Sequence, residues 1–237
     1  MTLTGHQPEY LPYLGFFYKL AKADKFIFVD HVQYLKKSFQ NRNRIRTAPG
    51  SNGWTWLTIP VITKGRRYQG INEVEIDNST PWAEKHWKTT RLNYKKALFF
   101  NEYKDFFEEI YSKKWEKLVD LNETIIRYLL KELEIQIPIF KSSDYNFKGK
   151  KTDLLIEMCK ELGADTYLSG SGAKYYGYVE EDKFKINGLN HKFSDFKHPI
   201  YPQRFKPFIP NMSIIDLLFN CGGKSIEIIK GISTKNE

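Results

Sequence analysis

Two runs rich in β-branched and aromatic residues, positions 2–6 and 25–30, bracket a stretch at 11–23 in which Leu14, Phe17, Tyr18 and Ala21 recur at helical spacing. A strand, loop, helix and strand packed into so few residues have the length of a compact βαβ crossover, and a crossover of that kind predicts a parallel sheet. The pattern returns near the other end. Residues 152–162 form an amphipathic helix through Leu154, Leu155, Met158 and Leu162, and a short strand at 165–168 runs into Ser169-Gly170-Ser171-Gly172.

Between these units, residues 54–62, 70–77 and 135–140 read as strands, and Pro81 to about Leu133 reads as helical. Ser79 or Thr80 is the expected N-cap there, with further helix starts near Asn101 and Ser112. Ser213 caps a last helix that stops at Gly222-Gly223, and a frayed tail is expected beyond Gly231. The expected fold is α/β, a mainly parallel sheet of Rossmann-like topology, with residues 1–237 as one domain carrying a helical insertion at about 80–133.

The chain carries a formal charge of +9 and 16% aromatic residues, and both features need an explanation. No apolar run approaches the roughly 18 residues of a membrane span, and the start of the chain does not read as a leader, so a cytoplasmic protein is expected. Two cysteines, Cys159 and Cys221, make neither a disulfide framework nor a zinc cluster by themselves and read as buried thiols.

Four constellations carry possible chemistry. The first is Gly5-His6-Gln7-Pro8 with Tyr10, Pro12, Tyr13 and Gly15, between the first strand and the first helix. In an open parallel sheet this is the carboxyl end of a strand, where ligands bind, and His6 is a candidate general base. The second is Asp30 with Gln33 and Tyr34 after the next strand, expected to lie on the same rim as His6. It continues into residues 36–46, which hold five basic side chains and no acid. There Lys37, Arg42, Arg44 and Arg46 alternate with Gln40, Asn41 and Asn43, a mixture suited to a small polyanion because arginine grips phosphate with two donors and the amides add neutral ones. The third is Ser169-Gly170-Ser171-Gly172 with Lys174, where glycines allow close approach to a phosphate or sugar, although the P-loop spacing is absent. The fourth, His191, Asp195 and His198, matches no established metal-ligand pattern, and no G-x-S-x-G nucleophile motif is present.

Taken together, GHQPEYLPYLGFF, DHVQY followed by FQNRNRI, WLTIPV, TDLL followed by GADTYLSGSGA, and FIPNMSIIDLLFNCG resemble the WbqC-like family from Gly5 to about Gly223. The resemblance implies an association with bacterial O-antigen and other surface-polysaccharide biosynthesis, and a role in tailoring an amino sugar. For the family's namesake it implies aminoacyl transfer, with glycine suggested. His6-Gln7-Pro8, Asp30, Gln33, Asn41-Arg42-Asn43 and Ser169-Gly170 fall on the family's motif positions. A fainter likeness, to nucleotidylyltransferases and pantothenate-synthetase-like ligases, covers Gly5 to Tyr34, but the paired histidines of their phosphate-gripping motif are missing from the Tyr10–Gly15 loop.

The leading expectation is therefore a transferase or ligase forming an amide on the amino group of a nucleotide-linked sugar, with His6 and Asp30 deprotonating the amine. Gln7, Tyr10, Tyr13, Gln33, Lys37, Asn41, Arg42, Asn43, Ser169, Gly170, Ser171, Gly172 and Lys174 would hold the substrate. The partners are the sugar nucleotide and an activated acyl or aminoacyl donor, with ATP as one means of activation; no metal ligands are assigned, and the cofactor and the need for a metal stay open. The alternatives are nucleotidyl transfer from an ATP-type substrate and a non-enzymatic binder of nucleic acid or other polyanion. Lysines spread over much of the chain, with acidic neighbours in most places, argue against nucleic acid.

Overall fold

β1 (Thr2–His6) and β2 (Lys25–Phe28) run side by side and parallel, Leu3 opposite Lys25 and His6 opposite Phe28, with α1 (Leu14–Leu20) in the crossover between them. In the computed structural model the described residues are 1–50, 52–175, 177 and 179–231, and the expectation for the tail beyond Gly231 lies outside them. β5 (Ile139–Lys141) adds to β2 on one side, while β6 (Thr166–Ser169) and β7 (Asn190–Phe193) add to β1 on the other. The order is β5-β2-β1-β6-β7 and every pairing is parallel, which makes this a Rossmann-like α/β fold.

Alternation along β2 explains why the sheet is covered on both faces. Phe26 and Phe28 join Leu14, Phe16 and Phe17 of α1 and the helices beyond, whereas Ile27 and Val29 join Leu3, Tyr167, Leu154 and Met158 under α5 (Thr152–Glu161). Each residue of α1 is buried, so Lys19 is drawn inside and donates its Nζ to the Gly5 carbonyl at 2.8 Å.

Gly5 is required by close approach: a Cβ there would sit 2.8 Å from Tyr167 Oη and 3.1 Å from Val29 Cγ2. Overpacking of this kind costs about 1–3 kcal/mol, so Gly5→Ala should lower the urea midpoint with the slope unchanged. A midpoint equal to the native one would show that the sheet has slack there.

The helices expected in the middle of the chain are α2 (Trp82–Tyr94), α3 (Phe100–Ser112) and α4 (Leu118–Glu132). Three expectations are corrected. Ser112 ends α3 instead of starting a helix, and Pro81 occupies the N-cap position of α2. Residues 70–77 do not form a strand: a 3-10 turn at Ile71–Glu73 interrupts the alternation, leaving isolated bridges Gln33 to Gly70 and Val61 to Ile76. The basic segment forms β3 (Arg42–Arg46), which pairs antiparallel with β4 (Trp54–Thr58) in a hairpin apart from the main sheet. After β6 come α6 (Ser171–Tyr175) and α7 (Glu181–Ile186). The chain then runs on to α8 (Ile214–Cys221), whose cap Ser213 Oγ accepts from Ile215 N, and to α9 (Ser225–Lys230). Cys159 and Cys221 are free and buried, and burial pushes both thiols up to about 12. No helix of the described residues is long and apolar enough to cross a membrane.

Candidate functional site

The strand order reverses between β1 and β6: from β1 the chain builds outward through β2 and β5, then returns to the other side for β6 and β7. In open parallel sheets the loops leaving the two strands at such a reversal diverge to opposite faces and leave a crevice at their carboxyl ends. Here the reversal falls between His6, ending β1, and Ser169, ending β6, and this is where the topology directs a ligand. Two of the expected constellations therefore flank the strand-order reversal.

On the β1 side the cluster is richer than His6 alone. His6 Nδ1 donates to the Gln7 carbonyl at 3.0 Å and lies 3.9 Å from Glu9 Oε1, with the His6 side chain 27% exposed and Glu9 14%. Glu9 Oε2 has no hydrogen-bond partner. Burial pushes the Glu9 carboxyl up to about 7, opposed by the nearby Lys19 charge, and burial pulls the Lys19 ammonium down to about 7, opposed by Glu9. Burial and then Lys19 lower His6 to about 3, so its imidazole is neutral near pH 7 and a feeble base. Burial and the Glu9 charge also raise Tyr13, which stands half-buried against Phe196. Glu9 and Lys19 do not stand out in the sequence. The signal available was an acid three residues after His6 and a lysine within a helix otherwise apolar on all sides.

Asp30 lies on the same rim, since Val29 N donates to the His6 carbonyl at 2.9 Å, but its carboxylate turns away. Asp30 Oδ1 accepts from Ser142 Oγ and from Ser143 N, both at 2.9 Å, and Oδ2 accepts from Ser143 Oγ at 2.7 Å. It fastens the end of β2 to the residues after β5, and no hydrogen bond joins it to His6. Gln33 is exposed and donates to the Arg67 carbonyl.

The amides of the basic segment, together with Arg46, spend their donors inside the fold. Asn41 Nδ2 donates to the Ile59 carbonyl at 2.8 Å and Asn43 Nδ2 to the Leu11 carbonyl at 2.7 Å. Gln40 Nε2 reaches Gln7 Oε1 at 2.6 Å, holding the His6 loop in place. Arg42 lies over the Trp56 ring at 4.3 Å, Arg44 over Trp54 at 5.1 Å, and Lys37 is exposed on a left-handed residue with φ 60°. The amides and Arg46 anchor the hairpin to the body, while the Nε of Arg42 and of Arg44 has no hydrogen-bond partner and Lys37 faces outward.

Tyr10 and Tyr34, expected on the rim, are buried. His86 Nε2 donates to the Thr58 carbonyl at 3.2 Å, which leaves Nδ1 to accept from Tyr10 Oη at 3.0 Å, and Tyr111 Oη lies 2.5 Å from Tyr10 Oη. Tyr10→Phe should cost about 1–2 kcal/mol from the broken buried chain, read as a lower Tm, with ligand binding unchanged. Loss of ligand binding with Tm intact would put Tyr10 back in the site.

On the β6 side, Ser169 Oγ lies 2.8 Å from His191 Nε2. Gly170 and Gly172 face open space, since a Cβ at either would meet nothing within 4 Å, and Ser171 and Lys174 begin and follow along α6. At the β2 end of the same sheet edge, a hollow of about 480 Å³ is lined by His31, Gln33, Phe147, Lys148, Lys150 and Lys151. A hollow of about 680 Å³ lies elsewhere, between Arg66, Tyr68 and Lys117, but Glu75 already pairs with Arg66 at 2.9 Å and Lys117 at 3.7 Å. The described residues contain no group of three or more His, Cys, Asp and Glu arranged to hold a metal ion.

The sequence profile of the WbqC-like protein family matches residues 7–228, nearly the whole chain, from the residue after His6 to well beyond Ser169. The chain belongs to the WbqC-like protein family. Among its relatives is "Uncharacterized protein Rv1507c" of Mycobacterium tuberculosis (strain ATCC 25618 / H37Rv), 35% identical over 226 residues, which are 94% of this chain and 95% of the relative. No solved structure matches this WbqC-like chain.

Proposed function

We propose that this WbqC-like protein acts in surface-polysaccharide biosynthesis by forming an amide on the amino group of a nucleotide-linked sugar, in the crevice between β1 and β6. The observation that carries the reading is Glu9: a carboxyl pushed up to about 7, with one oxygen unpartnered, beside His6 and Lys19 at the strand-order reversal. A sugar ammonium has no lone pair and must lose a proton before it attacks an acyl group. A carboxylate whose conjugate acid titrates near neutral pH is matched to that transfer, whereas an imidazole held at about 3 is not. Glu9 therefore replaces the His6 and Asp30 pair as the base, and neutral His6 is left to hydrogen-bond the substrate.

The acyl or aminoacyl donor arrives activated, as a thioester or through ATP. The diphosphate of the sugar nucleotide suits the hollow at Lys148, Lys150 and Lys151 better than the hairpin arginines, because those lysines are exposed on the strand-end rim. The test is a thermal-shift panel of a UDP-linked amino sugar, the same UDP-sugar with hydroxyl in place of amine, ATP, acetyl-CoA and a single-stranded RNA. A ligand at about 100 times its Kd stabilises by about 2.7 kcal/mol, a rise of several degrees for a chain of this size. A rise with the UDP-linked amino sugar and none with RNA supports the reading. A rise with RNA alone sinks it.

A further inference from the structure

Ser169, last residue of β6, and His191 of β7 sit on one face of neighbouring parallel strands, because Ser169 pairs with Phe193 and Tyr167 with His191. Ser169 Oγ lies 2.8 Å from His191 Nε2, and the far nitrogen, Nδ1, points toward Glu181 Oε1 at 3.9 Å. The His191 side chain is 2% exposed and Nδ1 has no hydrogen-bond partner, although a buried polar atom is usually satisfied. The ring is clamped by Phe184, centroids 5.0 Å apart, and Phe193 at 4.5 Å, so it cannot swing away from Ser169 without displacing both. Glu181 opens α7 and its side chain is 57% exposed, free to close the remaining gap by rotation. Hydroxyl, imidazole and carboxylate thus lie in the order used to activate a nucleophile, with the imidazole's two nitrogens facing the two partners. This arrangement stands at the strand-order reversal without the motif by which such sites are found in sequence; Ser169 is 5% exposed, and the next residue, Gly170, faces open space.

We propose that Ser169 is a nucleophile that accepts the acyl group from an acyl thioester, with His191 as its base and Glu181 as the residue positioning His191. This deepens the amide-forming reading and rests on it. Ser169 Oγ attacks the thioester carbonyl while its proton passes to His191 Nε2. The carbon–sulfur bond breaks, and the thiolate leaves with that proton as a free thiol. In the second half the sugar amine attacks the seryl ester, the carbon–nitrogen bond forms, and the amine's proton goes to His191 Nε2. The ester carbon–oxygen bond then breaks and Ser169 takes the proton back.

The experiment incubates the full chain with a fluorophosphonate, whose phosphorus forms a bond to a nucleophilic serine oxygen with loss of fluoride, and maps the adduct by peptide mass spectrometry. The expected result is an adduct on Ser169, absent in Ser169→Ala and forming about 10²-fold more slowly in His191→Gln, each variant checked for a native melting transition. Glu181→Gln alters an exposed side chain and keeps the test open if His191→Gln does not fold; it should slow labelling measurably with Tm unchanged. No adduct at Ser169 in the native chain, or Glu181→Gln labelled at the native rate, overturns the proposal. Amide product that persists in Ser169→Ala sinks the covalent step and leaves the amide reading standing. A Ser169 adduct with no amide formed from any nucleotide sugar does the reverse.

Discussion

Replacing Glu9 by Gln should lower turnover on a nucleotide-linked amino sugar about 10²- to 10³-fold, the range of a lost general base, while leaving the ligand-induced rise in Tm nearly intact. Shape is retained and only the proton acceptor is removed, so kcat should fall and KM should hold. The native rate should decline as pH falls through about 7, where the Glu9 carboxylate takes up its proton. Stability carries a second signature of the same group. The folded-state value is raised above the ordinary 4.5, so Glu9's contribution is fully present below about 4.5 and is lost as pH rises through about 7. Lys19 is lowered from 10.5 to about 7, and its contribution returns as pH climbs from about 7 toward 10.5. The two windows do not overlap. Glu9→Gln should flatten the acidic window and, by removing the charge that supports the Lys19 ammonium, carry the Lys19 window to lower pH, and a Tm profile unchanged between about 4.5 and 7 would place the Glu9 carboxyl in water.

Arg46→Ala should be the most destabilising single change in the basic segment, at about 3–5 kcal/mol, because it strips one partner from a buried charged network. The guanidinium is 2% exposed and donates to the carbonyls of Gly53, Phe205 and Pro207, the last two at 2.8 and 2.9 Å. Nearby, the buried Asp216 accepts from Tyr94 Oη at 2.7 Å, Tyr201 Oη at 2.8 Å and Gln203 Nε2 at 2.7 Å. Tyr94 Oη in turn accepts from the Arg46 backbone N–H at 2.9 Å. Burial raises the Asp216 carboxyl, and those donors with Arg46 hold it back. Arg46→Lys should recover little, since an ammonium cannot reproduce the planar fork that spans three carbonyls. Arg42→Ala, which removes a half-exposed cation over Trp56, should cost no more than about 1 kcal/mol. Equal losses for Arg42 and Arg46 in chemical denaturation would contradict this division of the segment into anchor and surface.

The crossover units were legible in the sequence because their signal is local: the apolar period changes from two to 3.6 and back within about 30 residues. The helix at 152–161 and the Ser213 cap were readable for the same reason. The sheet order was not, because the choice of which side of β1 receives β6 depends on covering both faces at once. The fate of single polar residues was hidden in the same way. Asp30 is held by Ser142 and Ser143, more than 100 positions away in sequence, and Arg46 by Phe205 and Pro207. A run of arginines and amides looks alike whether its donors meet a ligand or the chain's own carbonyls. His6 and Ser169 could be placed at strand ends from sequence, but Glu9, Lys19 and the Ser169–His191 pair appear only once α1 and β7 are packed.

The amide-forming site in the β1–β6 crevice is tested most directly by a crystal structure of the protein with a UDP-linked amino sugar. The sugar's amino nitrogen is expected within hydrogen-bond distance of Glu9, the ring between Gln7 and Ser169, and the diphosphate toward Lys148, Lys150 and Lys151. Density for the same ligand against Arg66, Tyr68 and Lys117, with the crevice unchanged, would contradict it.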